Sequence, residues 1–361
     1  MIKIFNLLTN IVFKKKQPVS IVHFLTNRCN ARCSFCFINF SDNKIFQNEL
    51  NLYEIDKLTK KLGSSIRNVS FTGGEPFARK DILEIAKLYI KNSLIQSIYI
   101  TTNGSLPERI LAFAKNINAF NKNIELNFQI SIDHFPDKHD KIRKIPNLFK
   151  NCLTTYFSLR ELNIPQINSN VAITVSEENY QDIEGIYNYL YYRKRIKHIK
   201  AILVRDEGIY KNNISKKKLI LDAYKLLTNK IIKNLNVTKN NFNEKSLQGK
   251  IHQQKDIIAF RLIKKIAQHN KYISPCHAAS LFGIITAQGD VYPCEILENK
   301  KIGSLRDVNM DFIKLWNSKK NFEIKKDILN NKCFCTYECG MSFNIIGNYR
   351  YYFDLALGLF K

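Results

Sequence analysis

No stretch of this 361-residue chain approaches the roughly 20 consecutive apolar residues that cross a bilayer as a helix. A secretory signal is missing too. Met1 to Phe13 is apolar and only then meets Lys14-Lys15-Lys16, the reverse of a signal's order. A cytoplasmic location is expected, with residues 1–19 either strapped against the core or touching a membrane surface. Acid is scarce: 31 Asp and Glu face 56 Lys and Arg, a formal net charge of +25. Such an excess can mark a nucleic-acid, membrane or acidic partner. Here Lys, Asn and Ile abound along the whole chain. The lysine runs, Lys14 to Lys16 and Lys216 to Lys218, are short and lack interleaved aromatics, so no specific nucleic-acid binding is expected. No internal repeat or low-complexity block stands out. With 45% hydrophobic and 12% aromatic residues, the composition is that of a folded chain with a sizeable core.

The nine cysteines are unevenly spread. Cys29, Cys33 and Cys36 form one cluster; Cys333, Cys335 and Cys339 form another. Cys276 and Cys294 lie upstream of the second, and Cys152 stands alone in a helical apolar stretch as a core thiol. In a cytosolic chain such clusters argue for metal or redox chemistry rather than a disulfide framework.

Short β-branched runs alternate with helical stretches from about Ser20 to Arg205. The strands are expected at Ile21–Leu25, Asn68–Thr72, Ser97–Thr102, Glu125–Ile132, Asn168–Thr174 and Ile199–Val204. Helices are expected at Leu52–Leu62, Asp81–Ile90, Pro107–Lys115, Asp140–Leu162 and Tyr180–Arg193. Such alternation builds βαβ units and a parallel sheet. The fold class is α/β, a partial (β/α)6 barrel two strands short of the closed eight. Five segments follow: residues 1–19 at the N-terminus, a core at 20–210, a helical link at 211–272, a small Cys-bearing unit at 273–349 and a tail at 350–361. In that unit, Gln288-Gly289-Asp290 between two apolar runs reads as a hairpin turn. Polar and Gly-rich residues cluster just after the strands: Thr26-Asn27, Gly73-Gly74, Asn103-Gly104, Asp133 and Arg205. They converge on the rim at the strands' carboxyl ends, where parallel sheets carry their active sites.

The first cluster has the spacing C-x3-C-x2-C. A structural zinc site wants four protein ligands. Three thiolates on a loop after a strand suit an iron–sulfur cube with one iron left open. The run Thr26-Asn27-Arg28-Cys29-Asn30-Ala31-Arg32-Cys33-Ser34-Phe35-Cys36-Phe37 resembles the signature loop of the radical S-adenosylmethionine (SAM) superfamily. Phe35 fills that family's aromatic place before the last cysteine. The resemblance implies a [4Fe–4S] cluster on Cys29, Cys33 and Cys36, with SAM chelating the fourth iron. It also implies that electron transfer into the sulfonium releases a 5′-deoxyadenosyl radical.

Ser70-Phe71-Thr72-Gly73-Gly74-Glu75-Pro76 ends the second strand and is similar to the family's GGEP motif. Two glycines let backbone approach a ligand closely, and Glu75 can accept from an ammonium group. The resemblance therefore points Gly73, Gly74 and Glu75 at the methionyl amino group of SAM. It likewise points Thr102, Asn103, Ser131 and Asp133 at the ribose and methionyl parts, with helix capping as the alternative. Ser131-Ile132-Asp133 with His139-Asp140 and Arg143 resembles the S-[IL]-D-G…H-D-x-x-R block of enzymes with a SPASM-type extension, with His134 in the Gly place. Arg205 can grip a carboxylate bidentately, that of SAM or of a substrate; an ion pair is the alternative.

Cys276, Gly289 and Cys294 match the C-x(9–15)-G-x4-C opening of SPASM and twitch domains, which hold auxiliary clusters. Five cysteines can fill one four-iron cube and not two, so one auxiliary [4Fe–4S] cluster is expected. Cys276, Cys294 and Cys339 are its favoured ligands, with Cys333 and Cys335 competing for the last place. A zinc ribbon is the alternative. The resemblance implies an oxidoreductase-type enzyme acting on a peptide or small molecule, fed by a donor such as flavodoxin or ferredoxin. The chain ends in Leu359-Phe360-Lys361 without the C-terminal Gly pair of the molybdopterin-precursor enzyme. The short segment before Cys29 tilts away from autonomous leader-peptide binding. A different class, a non-catalytic iron–sulfur or zinc electron carrier or nucleic-acid-binding protein, has no need of a GGEP-like motif.

Overall fold

The structure is a computed structural model that describes residues 2–210, 212, 214–235 and 247–358. Residues 236–246 of the expected link and the chain end at 359–361 lie outside the described residues. Helix α1 (Ile2–Thr9) leaves Phe5 and Leu8 exposed, so it does not strap the core along its length.

Six parallel strands follow: β1 (Ser20–Thr26), β2 (Asn68–Gly73), β3 (Ser97–Thr102), β4 (Glu125–Ser131), β5 (Ile167–Val175) and β6 (Ile199–Leu203). The crossovers carry α2 (Leu52–Lys60), α3 (Ile82–Asn92), α4 (Pro107–Phe120), α5 (Pro136–Arg143), α6 (Leu148–Glu161) and α7 (Ile183–Asn188). The single helix expected at Asp140–Leu162 is two. Pro146 disfavours helix at Ile145, and Lys144 and Asn147 take left-handed φ values of 56° and 59°.

Strand alternation sorts the side chains into two sets. Ile98, Ile100, Phe128 and Ile130 are buried, and Phe128 meets Phe77 and Phe113 with ring centroids 6.4 and 6.3 Å apart. This set faces the helices. The other set is less buried and largely polar: Asn68, Ser70, Tyr99, Gln129, Asn170 and Lys200. It faces the lumen, which is therefore a polar chamber and not a second packed core.

Helices α8 (Lys217–Leu235) and α9 (Leu247–His269) lead to β7 (Phe282–Ile285), β8 (Asp290–Tyr292) and β9 (Gly303–Ser304). The sheet order is β6-β5-β4-β3-β2-β1-β7-β8-β9. The expected hairpin is present, turning through Gly289 at φ +88°. Its first strand pairs parallel with β1, so the Cys-bearing unit starts as an extension of the barrel sheet. Helices α10 (Phe312–Trp316), α11 (Lys319–Asn330), α12 (Glu338–Ile346) and α13 (Tyr352–Leu357) complete the chain. At the β6 edge the Leu203 N–H donates to the Glu338 carboxylate of α12 at 2.9 Å, and Lys200 pairs with Asp256 of α9 at 3.3 Å. These two helices cover the seam that six strands leave open.

Candidate active site at the carboxyl rim

Cys29, Cys33 and Cys36 lie on the loop that leaves β1. Their thiols lie close together: Cys33 and Cys36 raise the proton affinity of Cys29, and Cys33 raises that of Cys36. Burial pushes Cys29 up to about 12 and raises Cys33 and Cys36; the Arg143 guanidinium opposes the rise at Cys33 and Cys36. Two backbone N–H groups point at sulfur: Ala31 at 3.3 Å from Cys29 and Ile38 at 3.4 Å from Cys36. The Asn103 amide lies 3.9 Å from the Cys29 sulfur and donates to Asn30 at 2.8 Å. Three close thiols with N–H donors turned toward them fit a cluster that replaces thiol protons with iron and leaves one iron open.

Gly73 and Gly74 hold this loop in place. Gly74 N–H donates to Thr26 O at 2.7 Å and Glu75 N–H to Arg28 O at 2.8 Å. A Cβ on Gly73 would sit 2.2 Å from Thr26 O, and one on Gly74 2.1 Å from Arg28 O. The backbone that the glycines let approach is the cysteine loop itself, where a ligand was expected. Glu75 has partners within the chain in the same way. It is buried, and its oxygens accept from Phe77 N–H at 3.1 Å, the Thr102 hydroxyl at 2.8 Å and Asn103 N–H at 2.7 Å. It joins the β2 and β3 ends and so sets the Asn103 amide against Cys29.

Asp133, just beyond β4, is fully buried. One oxygen takes Arg143 Nε at 2.8 Å and Nη2 at 2.7 Å; the other accepts Thr174 N–H at 3.0 Å. Arg143 lies over the Phe35 ring at 5.9 Å, and its carbonyl accepts Arg32 N–H at 3.0 Å. Asp133 thus acts on the cysteine loop through Arg143. His139 accepts the Asp133 N–H at 3.2 Å, and burial holds it near a pKa of about 3, neutral. Ser131, at the lumen face of β4, is only partly buried. The alternative of plain helix capping fails for Asp133: α5 has no side-chain cap.

Arg205 is held within the chain. It pairs with Glu295 at 3.6 Å and Glu338 at 3.2 Å, and stacks near Tyr210 and Tyr337 at 4.5 and 5.0 Å from the ring centroids. The carboxylates it grips follow Cys294 and precede Cys339, so it ties β6 to the second cysteine group, while its Nη1 is buried with no hydrogen-bond partner among the described residues. Tyr337 donates to Glu295 at 3.0 Å. Neither glutamate was singled out from the sequence. The available signal was an acid beside each cysteine in a chain short of acids.

In the second group, Cys276 and Cys333 share a thiol hydrogen bond, Cys335 and Cys294 act on Cys276 electrostatically, and Cys333 acts on Cys294 and Cys335. Ile296 and Leu297 donate backbone N–H to Cys294, and Tyr337 to Cys335. The four form one set. Cys339 is exposed and its electrostatic neighbours are Glu295, Arg205 and Glu338, with no cysteine among them. That reverses the expected ranking, in which Cys339 led and Cys333 and Cys335 competed. Among the described residues, no three His, Cys, Asp or Glu side chains close around a single-ion site.

An α/β partial barrel with a three-thiol loop at its carboxyl rim and a second thiol set beside it is the frame of a protein with iron–sulfur sites. Residues 24–190 match the model of the radical SAM superfamily, and residues 276–340 that of the SPASM iron–sulfur cluster-binding domain. The chain thus carries a radical SAM domain and, after it, a SPASM domain. It is 32% identical over 182 residues to Fe-coproporphyrin III synthase of Methanosarcina barkeri, covering 49% of this chain and 42% of that one. It is 29% identical over 174 residues to the sporulation killing factor maturation protein SkfB of Bacillus subtilis, covering 47% and 38%. The matches thus span about two fifths of the length of these relatives. In fold it is similar to anSMEcpe with bound AdoMet and Kp18Cys peptide, at a TM-score of 0.60 and 18% identity over 86% of this chain and 84% of that one. It is also similar to Streptococcus suis SuiB bound to the precursor peptide SuiA, at 0.59 and 16% over 90% and 70%. SAM and a [4Fe–4S] cluster are the cofactors of the superfamily domain, and auxiliary clusters those of the SPASM domain. No described helix is long and apolar enough to cross a membrane.

Proposed function

We propose that the chain is a peptide-modifying radical SAM enzyme, oxidising its substrate with the help of one auxiliary cluster. The observation that carries this reading is the trio of close thiols, Cys29, Cys33 and Cys36, pressed against Gly73-Gly74 at a barrel rim that opens on a polar lumen. When bound, cluster and SAM supply a one-electron reductant and a hydrogen-abstracting carbon radical. This chain's residues do the rest. Cys29, Cys33 and Cys36 would hold three irons. Asn103, positioned by Glu75, offers its amide to that site. Phe35, Gly73, Gly74, Thr102 and Ser131 would border SAM, with Asp133 acting through Arg143. Cys276, Cys294, Cys333 and Cys335 would hold the auxiliary cube, and Arg205 fixes its distance from the rim through Glu295 and Glu338.

A peptide substrate is favoured over a small molecule because SkfB is a maturation protein of a killing factor and SuiB is bound to a precursor peptide. A one-electron donor of the flavodoxin or ferredoxin class would suit the chain's +25 charge if it is acidic. The test incubates anaerobically reconstituted protein with SAM, dithionite and deuterated candidate peptides. Deuterium appearing in 5′-deoxyadenosine supports the reading. Transfer from small metabolites and from no peptide overturns its peptide half.

A further inference from the structure

We propose that the polar wall of the lumen is a carboxylate-recognising subsite for the substrate, built by Lys200 and Lys255 and completed by Asn170. This rests on the reading that the lumen admits the substrate.

Lys200 of β6 lies 3.3 Å from one oxygen of Asp256, and Lys255 lies 3.7 Å from the other. One carboxylate thus serves two half-buried ammonium groups. Among the described residues no second carboxylate pairs with either ammonium group. The cluster keeps a surplus positive charge. It also keeps access to solvent: the side chains of Lys200, Lys255 and Asp256 are 37%, 20% and 29% exposed. A half-buried surplus charge that keeps access to solvent is a site for an anion.

Asn170 adds a second element. Its amide N–H lies 3.5 Å from the Tyr99 hydroxyl, which itself donates to Gln129 at 2.7 Å. Its carbonyl oxygen is buried without a hydrogen-bond partner among the described residues. Tyr99 connects the two, since Lys200 Nζ lies 5.8 Å from its ring centroid. The wall therefore asks for a carboxylate and, next to it, an N–H donor. Across the sheet, Val22, Phe24 and Ile284 form a separate apolar cluster with Phe37 and Tyr292. The chamber suits a peptide segment with an acidic group beside an apolar one.

The test titrates reconstituted, SAM-bound holoprotein with three probes by equilibrium dialysis. N-acetylglutamate α-amide carries a side-chain carboxylate, N-acetylglutamine α-amide is its neutral isostere, and N-acetylglutamine carries only a chain-terminal carboxylate. At least one carboxylate probe is expected to bind about tenfold tighter than the neutral one, as charge-assisted bonds predict. Which of the two does so identifies the source. Lys255→Met is expected to erase the difference, whereas Lys319→Met, on the exposed surface, keeps it. Should Lys255→Met fail to fold, Asp256→Asn serves instead. It frees both lysines and is expected to tighten carboxylate binding several-fold. Equal binding of all three probes, or discrimination that survives Lys255→Met or does not rise in Asp256→Asn, overturns the subsite. Formation of 5′-deoxyadenosine by the wild-type protein is followed in parallel. Its absence overturns the radical reading, and its presence without probe discrimination overturns the subsite alone.

Discussion

Replacing Gly74 by alanine tests how the glycine pair supports the cluster loop. The new Cβ would lie 2.1 Å from Arg28 O, 2.5 Å from Arg28 C and 2.9 Å from Asn27 C. All three are backbone atoms, so no side chain can swing aside. Restoring van der Waals contact needs an opening of about 1 Å between the two loops. The bonds from Gly74 N–H to Thr26 O and from Glu75 N–H to Arg28 O, now 2.7 and 2.8 Å, would lengthen with it. Overpacking of this kind costs about 1–3 kcal/mol, and each weakened bond about 1 kcal/mol more. The shift falls on the residues between Thr26 and Cys29, so the first cluster should suffer most. Iron after anaerobic reconstitution should drop from about eight per chain to about four, the auxiliary cube remaining. The melting temperature should fall in the same sample. Gly185→Ala is the control, because its Cβ comes no nearer than 3.3 Å to the Phe135 ring. Full iron and an unchanged melt in Gly74→Ala would refute the packing argument.

Asp133→Asn should cost about 3–5 kcal/mol in a urea melt by stranding the buried Arg143 guanidinium; a wild-type midpoint would contradict the pairing. Cys339→Ser should keep auxiliary iron while Cys335→Ser loses it, and the reverse result would restore Cys339 as a ligand. His23 and His139 are held near pKa values of about 3 by burial. Their folded-state values lie below the ordinary 6.5, so their contribution is full above that pH and is lost as pH falls from 6.5 toward 3. The slope is roughly 1.4 kcal/mol per pH unit for each. Urea midpoints at pH 7 and 5 read it, and His139→Gln should flatten it; an unchanged slope would contradict the assignment.

Local pattern reaches far in this chain. The six strands of the barrel lie within two residues of the positions their β-branched runs imply, because alternation and turn residues are written in consecutive positions. The cysteine loop and Gly73-Gly74 were readable for the same reason. What local pattern could not carry was long-range. Nothing around Phe282 says that it will pair with Ser20, over 200 residues earlier, and join the C-terminal hairpin to the barrel sheet. Arg205 read as an open cation because Glu295 and Glu338 are distant in sequence. Glu75 read as a ligand group because its three donors come from two strand ends that only the fold unites. The rank of Cys339 depended on which way the first turn of α12 faces, which spacing does not encode.

The account stands on an open iron at Cys29, Cys33 and Cys36. The direct measurement is 5′-deoxyadenosine released from SAM by anaerobically reconstituted protein with dithionite, in wild type and in Cys33→Ala. The account predicts product from the wild type and none from Cys33→Ala, which keeps its auxiliary iron. Equal product from both, or none from a wild type with its clusters intact, would contradict it.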